Sequence, residues 1–226
     1  MKRFVVIALM MLAIAAEVRA GTIRGTIRAQ PPPGAEAPSG DGGAYASRKW
    51  KFVEKIDYEH LTDFVVYIDR AMTNGTGVRT SAAVTTQKDA SFEPHVLPIA
   101  VGSTVRWPNE DEIYHNVFST SEAKEFNLGL YHKERTPEIT FDRVGRVDVF
   151  CAIHTNMHCI ILVLPNAFFS MADARGRFVI KDVPAGTYPL RAWHERMPGQ
   201  VKEIVVPADG EVKVDFVLGL GVLPKD

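Results

Sequence analysis

An all-β protein is predicted from three features of the chain. Short runs rich in Val, Ile, Phe and Thr recur along it. Clusters of Gly, Pro, Asn and Asp separate them, and the spacing of apolar residues is almost nowhere helical. The 226 residues carry a formal net charge of −1 with histidine neutral, so no basic excess exists to attract nucleic acid.

The first twenty residues stand outside that pattern. Met1-Lys2-Arg3 is a basic start, Phe4 through Ala16 is apolar but short for a bilayer crossing, and Val18-Arg19-Ala20 ends on a small residue. This predicts a secretory signal peptide over residues 1–20, cut near Ala20–Gly21, with an uncleaved anchor helix as the alternative. The mature chain is then expected in the periplasm or secreted. No membrane span is expected after cleavage, because no second apolar run has the length for one.

The rest divides into three stretches. In residues 21–82, Gly21–Arg28 and Asp63–Asp69 read as strands, and Gln30–Gly43 is a Pro/Gly-rich loop. Two strands are too few to bury a core, so this stretch is expected to complete another unit. In residues 83–165, Val101, Ser103, Val105 and Trp107 share one face of a strand, Ile113–Ser119 is extended, and Val147, Val149 and Cys151 point one way from a third strand. Ile160–Leu164 is continuously apolar, which predicts a strand covered on both faces. In residues 166–226, turns at Asp173–Gly176, Pro184–Gly186 and Pro207–Gly210 separate short strands at Phe178–Ile180, Thr187–Trp193 and Val212–Leu218, read as a meander with one buried face.

The chemistry concentrates in Cys151-Ala-Ile-His154-Thr-Asn-Met157. Cys151 ends an alternating strand and Met157 stands just before the next, so the intervening loop can turn a thiolate, an imidazole and a thioether toward one point. His115, at the end of another strand, is the natural fourth donor. Two His, one Cys and a weak Met form the donor set of a blue (type 1) copper site, which takes one ion. Other readings of these residues remain. His158 could replace Met157 as the axial donor. Cys151 and Cys159 could form a disulfide. Cys151, His154, His158 and Cys159 could hold zinc. Otherwise Cys159 reads as a buried free thiol. His60 and His132 read as exposed, His95 as a surface residue that could otherwise pack under the site or touch a partner, His194 as a loop residue that could serve as a second metal or docking point, and Trp107 and Trp193 as core. No Ser-His-Asp set, phosphate loop or paired-carboxylate motif stands out.

A longer pattern surrounds the ligand loop: Gly102-Ser-Thr-Val-Arg-Trp-Pro-Asn109, His115-Asn116, Phe141 with Gly145, then Cys151, His154 and Met157. Over about residues 90–165 the chain resembles the cupredoxin family, specifically its plastocyanin- and amicyanin-like branch with the short C-x2-H-x2-M loop. The resemblance implies a Greek-key β-sandwich with His115 and His154 binding through Nδ1, Cys151 as thiolate and Met157 as weak axial donor. It also implies that Asn116 ties the His115 loop to the Cys151 loop and donates its backbone N–H toward the sulfur. Asp173-Ala-Arg-Gly-Arg-Phe178 and Val183-Pro-Ala-Gly-Thr-Tyr188 resemble carboxypeptidase regulatory-like (transthyretin-like) modules, as do Gly21–Ile27 and Asp63–Asp69. The expected organisation is therefore a copper domain over 83–165 and a small second sandwich over 166–226, completed by 21–82.

These resemblances imply one-electron transfer rather than catalysis, with a c-type cytochrome or a periplasmic oxidoreductase as partner. The alternative is a copper-binding or surface/carbohydrate-binding β-sandwich with no redox partner. Fast reversible cycling of the copper separates the two.

Overall fold

The computed structural model describes residues 20–31, 57–72 and 83–219. The segment expected to be a signal peptide, up to residue 19, and nearly all of the Pro/Gly-rich loop lie outside the described residues. Within them the chain is all-β, and no helix is long and apolar enough to cross a membrane. The strands in order are β1 (Ala20–Gln30), β2 (Val65–Ile68), β3 (Ala83–Val84), β4 (Thr86–Lys88), β5 (Ser91–Glu93) and β6 (Val96–Ala100). They continue with β7 (Thr104–Arg106), β8 (His115–Ser121), β9 (Lys124–Tyr131), β10 (Glu138–Thr140), β11 (Gly145–Phe150) and β12 (His158–Leu164). The last six are β13 (Phe169–Met171), β14 (Arg177–Pro184), β15 (Gly186–His194), β16 (Met197–Val206), β17 (Glu211–Lys213) and β18 (Phe216–Gly219).

β1 and β2 pair with strands from the far end of the chain. β1 lies between β14 and β17, with β18 taking over from β17 further along it; the second sheet runs β13-β2-β15-β16. Ile23, Ile27, Val66, Ile68, Phe178, Ile180, Leu190, Phe216 and Leu218 fill one core between these sheets. Alternation explains the choice: Ile23 and Ile27 face inward from β1, with Gly25 between them. A Cβ on Gly25 would lie 1.7 Å from the Val214 carbonyl oxygen, so the neighbouring backbone occupies the place of a side chain.

The predicted meander is corrected here. Among the six strands from β13 to β18 only β15 and β16 form a hairpin; β14 and β15 are consecutive yet belong to different sheets. The single expected strand Val212–Leu218 is also split. The Asp215 carboxylate accepts hydrogen bonds from the Thr26 N–H and hydroxyl, each at 2.8 Å, and replaces a ladder bond between the two parts.

The central stretch builds a five-stranded sheet, β6-β12-β11-β8-β9, which shares a core with the smaller sheet β10-β7-β3. Val105, Trp107, Val117, Phe141, Val147, Val149, Ile161 and Val163 occupy that core. β12 is apolar throughout because both of its faces are covered. Cys159, Ile161 and Val163 face this core, while Ile160, Leu162 and Leu164 join Val65, Tyr67 and Val96 in a third buried cluster behind it. Burial of each such side chain contributes about 1.5–3 kcal/mol. The strand that leaves the ligand loop is thus held from both sides.

Candidate metal centre

His115 opens β8 and is completely buried. Cys151 follows the last residue of β11, and β12 begins at His158. The β11–β12 ladder continues one pair past its named ends, because the Cys151 N–H donates to the Met157 carbonyl at 3.2 Å. Cys151 and Met157 are therefore cross-strand partners. With the period of two, both point into the core that holds Val149 and Cys159. The Met157 N–H donates to the His154 carbonyl at 3.0 Å, closing the loop and presenting His154, half-buried, at its outer edge.

Three donor atoms converge as a result. His115 Nδ1 lies 3.0 Å from His154 Nδ1, and Cys151 Sγ lies 3.9 Å and 3.7 Å from the two nitrogens. Among the described residues no second group of three His, Cys, Asp or Glu side chains comes together in this way. A divalent transition metal bonds imidazole nitrogen at about 2.0 Å and thiolate sulfur at about 2.3 Å. The three separations allow a single point to meet all of these lengths. A soft thiolate with two imidazoles suits copper or zinc rather than a hard cation.

The tautomer of His115 agrees with this. Its Nε2 lies 2.7 Å from Asp111 Oδ2, and a carboxylate only accepts, so Nε2 carries the proton and Nδ1 presents its lone pair to the other two donors. Burial acts to raise the Asp111 carboxyl, but hydrogen bonds from the Ala90 amide, the His115 ring and the Asp89 amide outweigh it and hold the group below its ordinary value. Asp111 was invisible to pattern reading. The Asp four residues before a strand-opening His is the signal that could have found it.

Other candidate residues fall elsewhere. Asn116 does not tie the two ligand loops together: its side-chain amide donates to Asn127 Oδ1 on β9 at 2.8 Å. Cys151 Sγ has the two ring nitrogens within hydrogen-bond range, and no bond from the Asn116 N–H to it is seen among the described residues. The reason is register, since β8 pairs with β9 at Asn116 and the side chain finds its partner there. His158 lies on the opposite face of the sheet from Cys151. Its Nε2 is 2.9 Å from Asp148 Oδ1 and its ring stacks on Phe150 at 4.8 Å, so it does not join His115, Cys151 and His154. Cys151 and Cys159 are both free, which removes the disulfide reading, and neither His158 nor Cys159 joins the cluster that zinc would need. Burial, with Asp148 adding to it, pushes the Cys159 thiol well up and keeps it protonated.

Of the remaining histidines, His60 and His132 are salt-bridged at the surface to Asp57 and Glu134. His95 touches Glu195 and the His158 carbonyl, at the junction of the two halves of the chain. His194 is buried against Phe64 and accepts the Arg196 N–H, a structural placement. Trp107 is fully buried, and Trp193 packs against the cluster behind β12.

No family model and no curated protein matches the sequence. Among solved structures, a copper-containing nitrite reductase (NirK) from Thermus scotoductus SA-01 is similar at 28% identity over 36% of this chain, with a TM-score of 0.35. That match spans only 22% of the nitrite reductase chain. A purple cupredoxin from Nitrosopumilus maritimus is similar at 25% identity over 36% of this chain and 98% of its own, with a TM-score of 0.33. A reduced amicyanin variant is similar at 23% identity over 43% of this chain and 90% of its own, with a TM-score of 0.34.

Proposed function

We propose that the central domain is a cupredoxin-type unit holding one type 1 copper ion, and that the protein carries single electrons between redox partners outside the cytoplasm. The observation that supports this best is the convergence of His115 Nδ1, His154 Nδ1 and Cys151 Sγ, with the His115 ring already in the tautomer that a metal requires. Copper bound there would supply the Cu(I)/Cu(II) couple. Met157 would supply a weak thioether donor, because it is the cross-strand neighbour of Cys151 on the same buried face.

The chain's own part is to hold these donors still. His115 is fixed by Asp111 and by its place in β8, Cys151 by the continued ladder, and His154 by the turn hydrogen bond. Two sheets and a second apolar cluster behind β12 oppose movement when the charge changes. No bond to a substrate is made or broken in this reading. Electrons would pass at His154, the donor nearest the surface. Exposed apolar side chains stand next to the donors in the chain or across the strand pair: Ile113 and Tyr114 precede His115, Ile153 precedes His154, and Leu130 pairs with Asn116. Exposed apolar side chains of this kind suit a transient partner, for which a c-type cytochrome or a periplasmic oxidoreductase is the proposed class.

Copper titration and voltammetry of the purified protein test this reading. The expected result is one copper per chain and a fast, reversible one-electron wave. Copper that binds but does not cycle would transfer the reading to a storage or surface-binding role.

A further inference from the structure

We propose that Asp111 is an anionic positioning residue that fixes the potential of the centre through His115. The inference rests on the reading of His115 as a copper ligand. It goes beyond that reading in assigning the redox balance to a carboxylate strapped from a separate hairpin.

Three N–H groups converge on the Asp111 carboxylate. The Asp89 amide donates to Oδ1 at 2.7 Å, and the Ala90 amide donates to Oδ2 at 3.0 Å. The His115 Nε2–H donates to the same Oδ2 at 2.7 Å. A carboxyl group that accepts on both oxygens from three donors is ionised, since the protonated form would turn an O–H toward one of them. Its backbone is held as well: the Asp111 N–H donates to Asn109 Oδ1 at 2.9 Å, and buried Asn109 donates to the Ile113 carbonyl at 2.9 Å.

The two amides come from the turn joining β4 and β5. Asp89 and Ala90 both have left-handed backbone, with φ of 51° and 52°. Two-residue turns of that hand favour Asn-Gly or Asp-Gly, so Ala at the second position carries strain of about 1–2 kcal/mol. Successive left-handed residues aim consecutive N–H groups the same way, and here they aim at one carboxylate. The hairpin is docked by Gln87, whose N–H donates to the Pro108 carbonyl and whose carbonyl accepts from the Glu110 N–H, both at 2.9 Å. A strained turn that reaches both oxygens of Asp111, sharing Oδ2 with His115, is placed to position that carboxylate.

The consequence is electrostatic. A fixed negative charge on the outer nitrogen of a fully buried imidazole raises the donor strength of Nδ1 and favours the more highly charged metal ion. Asp111 therefore stabilises the Cu(II) state over Cu(I). A group that merely shaped the loop would affect both states alike.

Asp111→Asn in the copper-loaded full chain tests this, with both copper affinities and the potential as readouts. The Cu(II) affinity should fall about ten-fold with the Cu(I) affinity nearly unchanged, which corresponds to a rise in potential of about 59 mV for one electron. An unmoved potential, whether both affinities fall together or neither does, overturns the inference. Should the variant fail to fold, nitrogen-15 NMR of the wild-type Cu(I) protein decides. A slowly exchanging proton on His115 Nε2 supports the inference, and a freely exchanging one overturns it. A wild-type protein with no thiolate–copper absorption would instead reject the copper reading and this inference together, a result distinct from a normal spectrum with an unmoved potential in D111N.

Discussion

At the scale of single residues, the two cysteines show how burial and neighbours separate chemically identical groups. Cys151 faces two ring nitrogens, whereas Cys159 faces apolar side chains and is held protonated. Cys151→Ser should abolish any thiolate–copper band. Cys159→Ala should retain the band and cost about 1 kcal/mol of stability, as read by chemical denaturation. The convergence of Cys151 and His154 was legible in the sequence because a C-x2-H-x2-M loop between two apolar strands leaves few other uses for its side chains. Asn116 was misread, because the sequence does not say which neighbouring strand a side-chain amide will meet. His194 provides a pH test. Burial, partly opposed by Glu195 and the Thr62 carbonyl, pushes its imidazole below the ordinary value of 6.5. The unfolded chain therefore takes up this proton before the folded one does. The contribution to stability is complete above pH 6.5 and is lost as the pH falls below that value and through the depressed folded one. His194→Asn should flatten that slope in denaturation measured at stepped pH. His60 and His132 are raised by their carboxylate partners and have the opposite sign, being complete below 6.5 and lost as the pH rises, so they act in a different window.

At the scale of elements, the strands that carry the site were readable by alternation or by an unbroken apolar run. β11 alternates Val147, Val149 and Cys151 inward, and β12 is uniformly apolar because two clusters cover it. β9 and β16 were not readable. Both are edge strands whose exposed residues blur the period, and Gly129 with φ 68° interrupts β9. The split of Val212–Leu218 was hidden as well, since it depends on Asp215 reaching Thr26 across a parallel pair. Gly25 tests the element-level account. Gly25→Ala forces a methyl group toward the Val214 carbonyl and should cost about 1–3 kcal/mol, while the copper spectrum of the folded fraction stays unchanged. A neutral substitution would show that β1 and the Val214 segment are less closely apposed than the account holds.

At the scale of the whole molecule, the buried apolar cluster of Val65, Tyr67, Val96, Ile160, Leu162 and Leu164 links the central sheet to the sheet containing β2. A buried apolar junction of this kind should make both halves unfold in one transition, with circular dichroism and copper absorbance changing together. Leu162→Ala should cost about 2–5 kcal/mol and draw the two signals apart. That β1 and β2 would be needed by the far end of the chain was foreseeable, because two strands cannot enclose a core. The distribution of consecutive strands between two sheets was not, because strand sequences carry a period but no record of which sheet each one joins. All of the functional account depends on copper bonding to the sulfur of Cys151. The most direct measurement is the absorption spectrum of the full chain loaded with Cu(II). The account predicts an intense thiolate-to-copper band at about 600 nm. Its absence, with Cys151 shown to be reduced, would contradict the account.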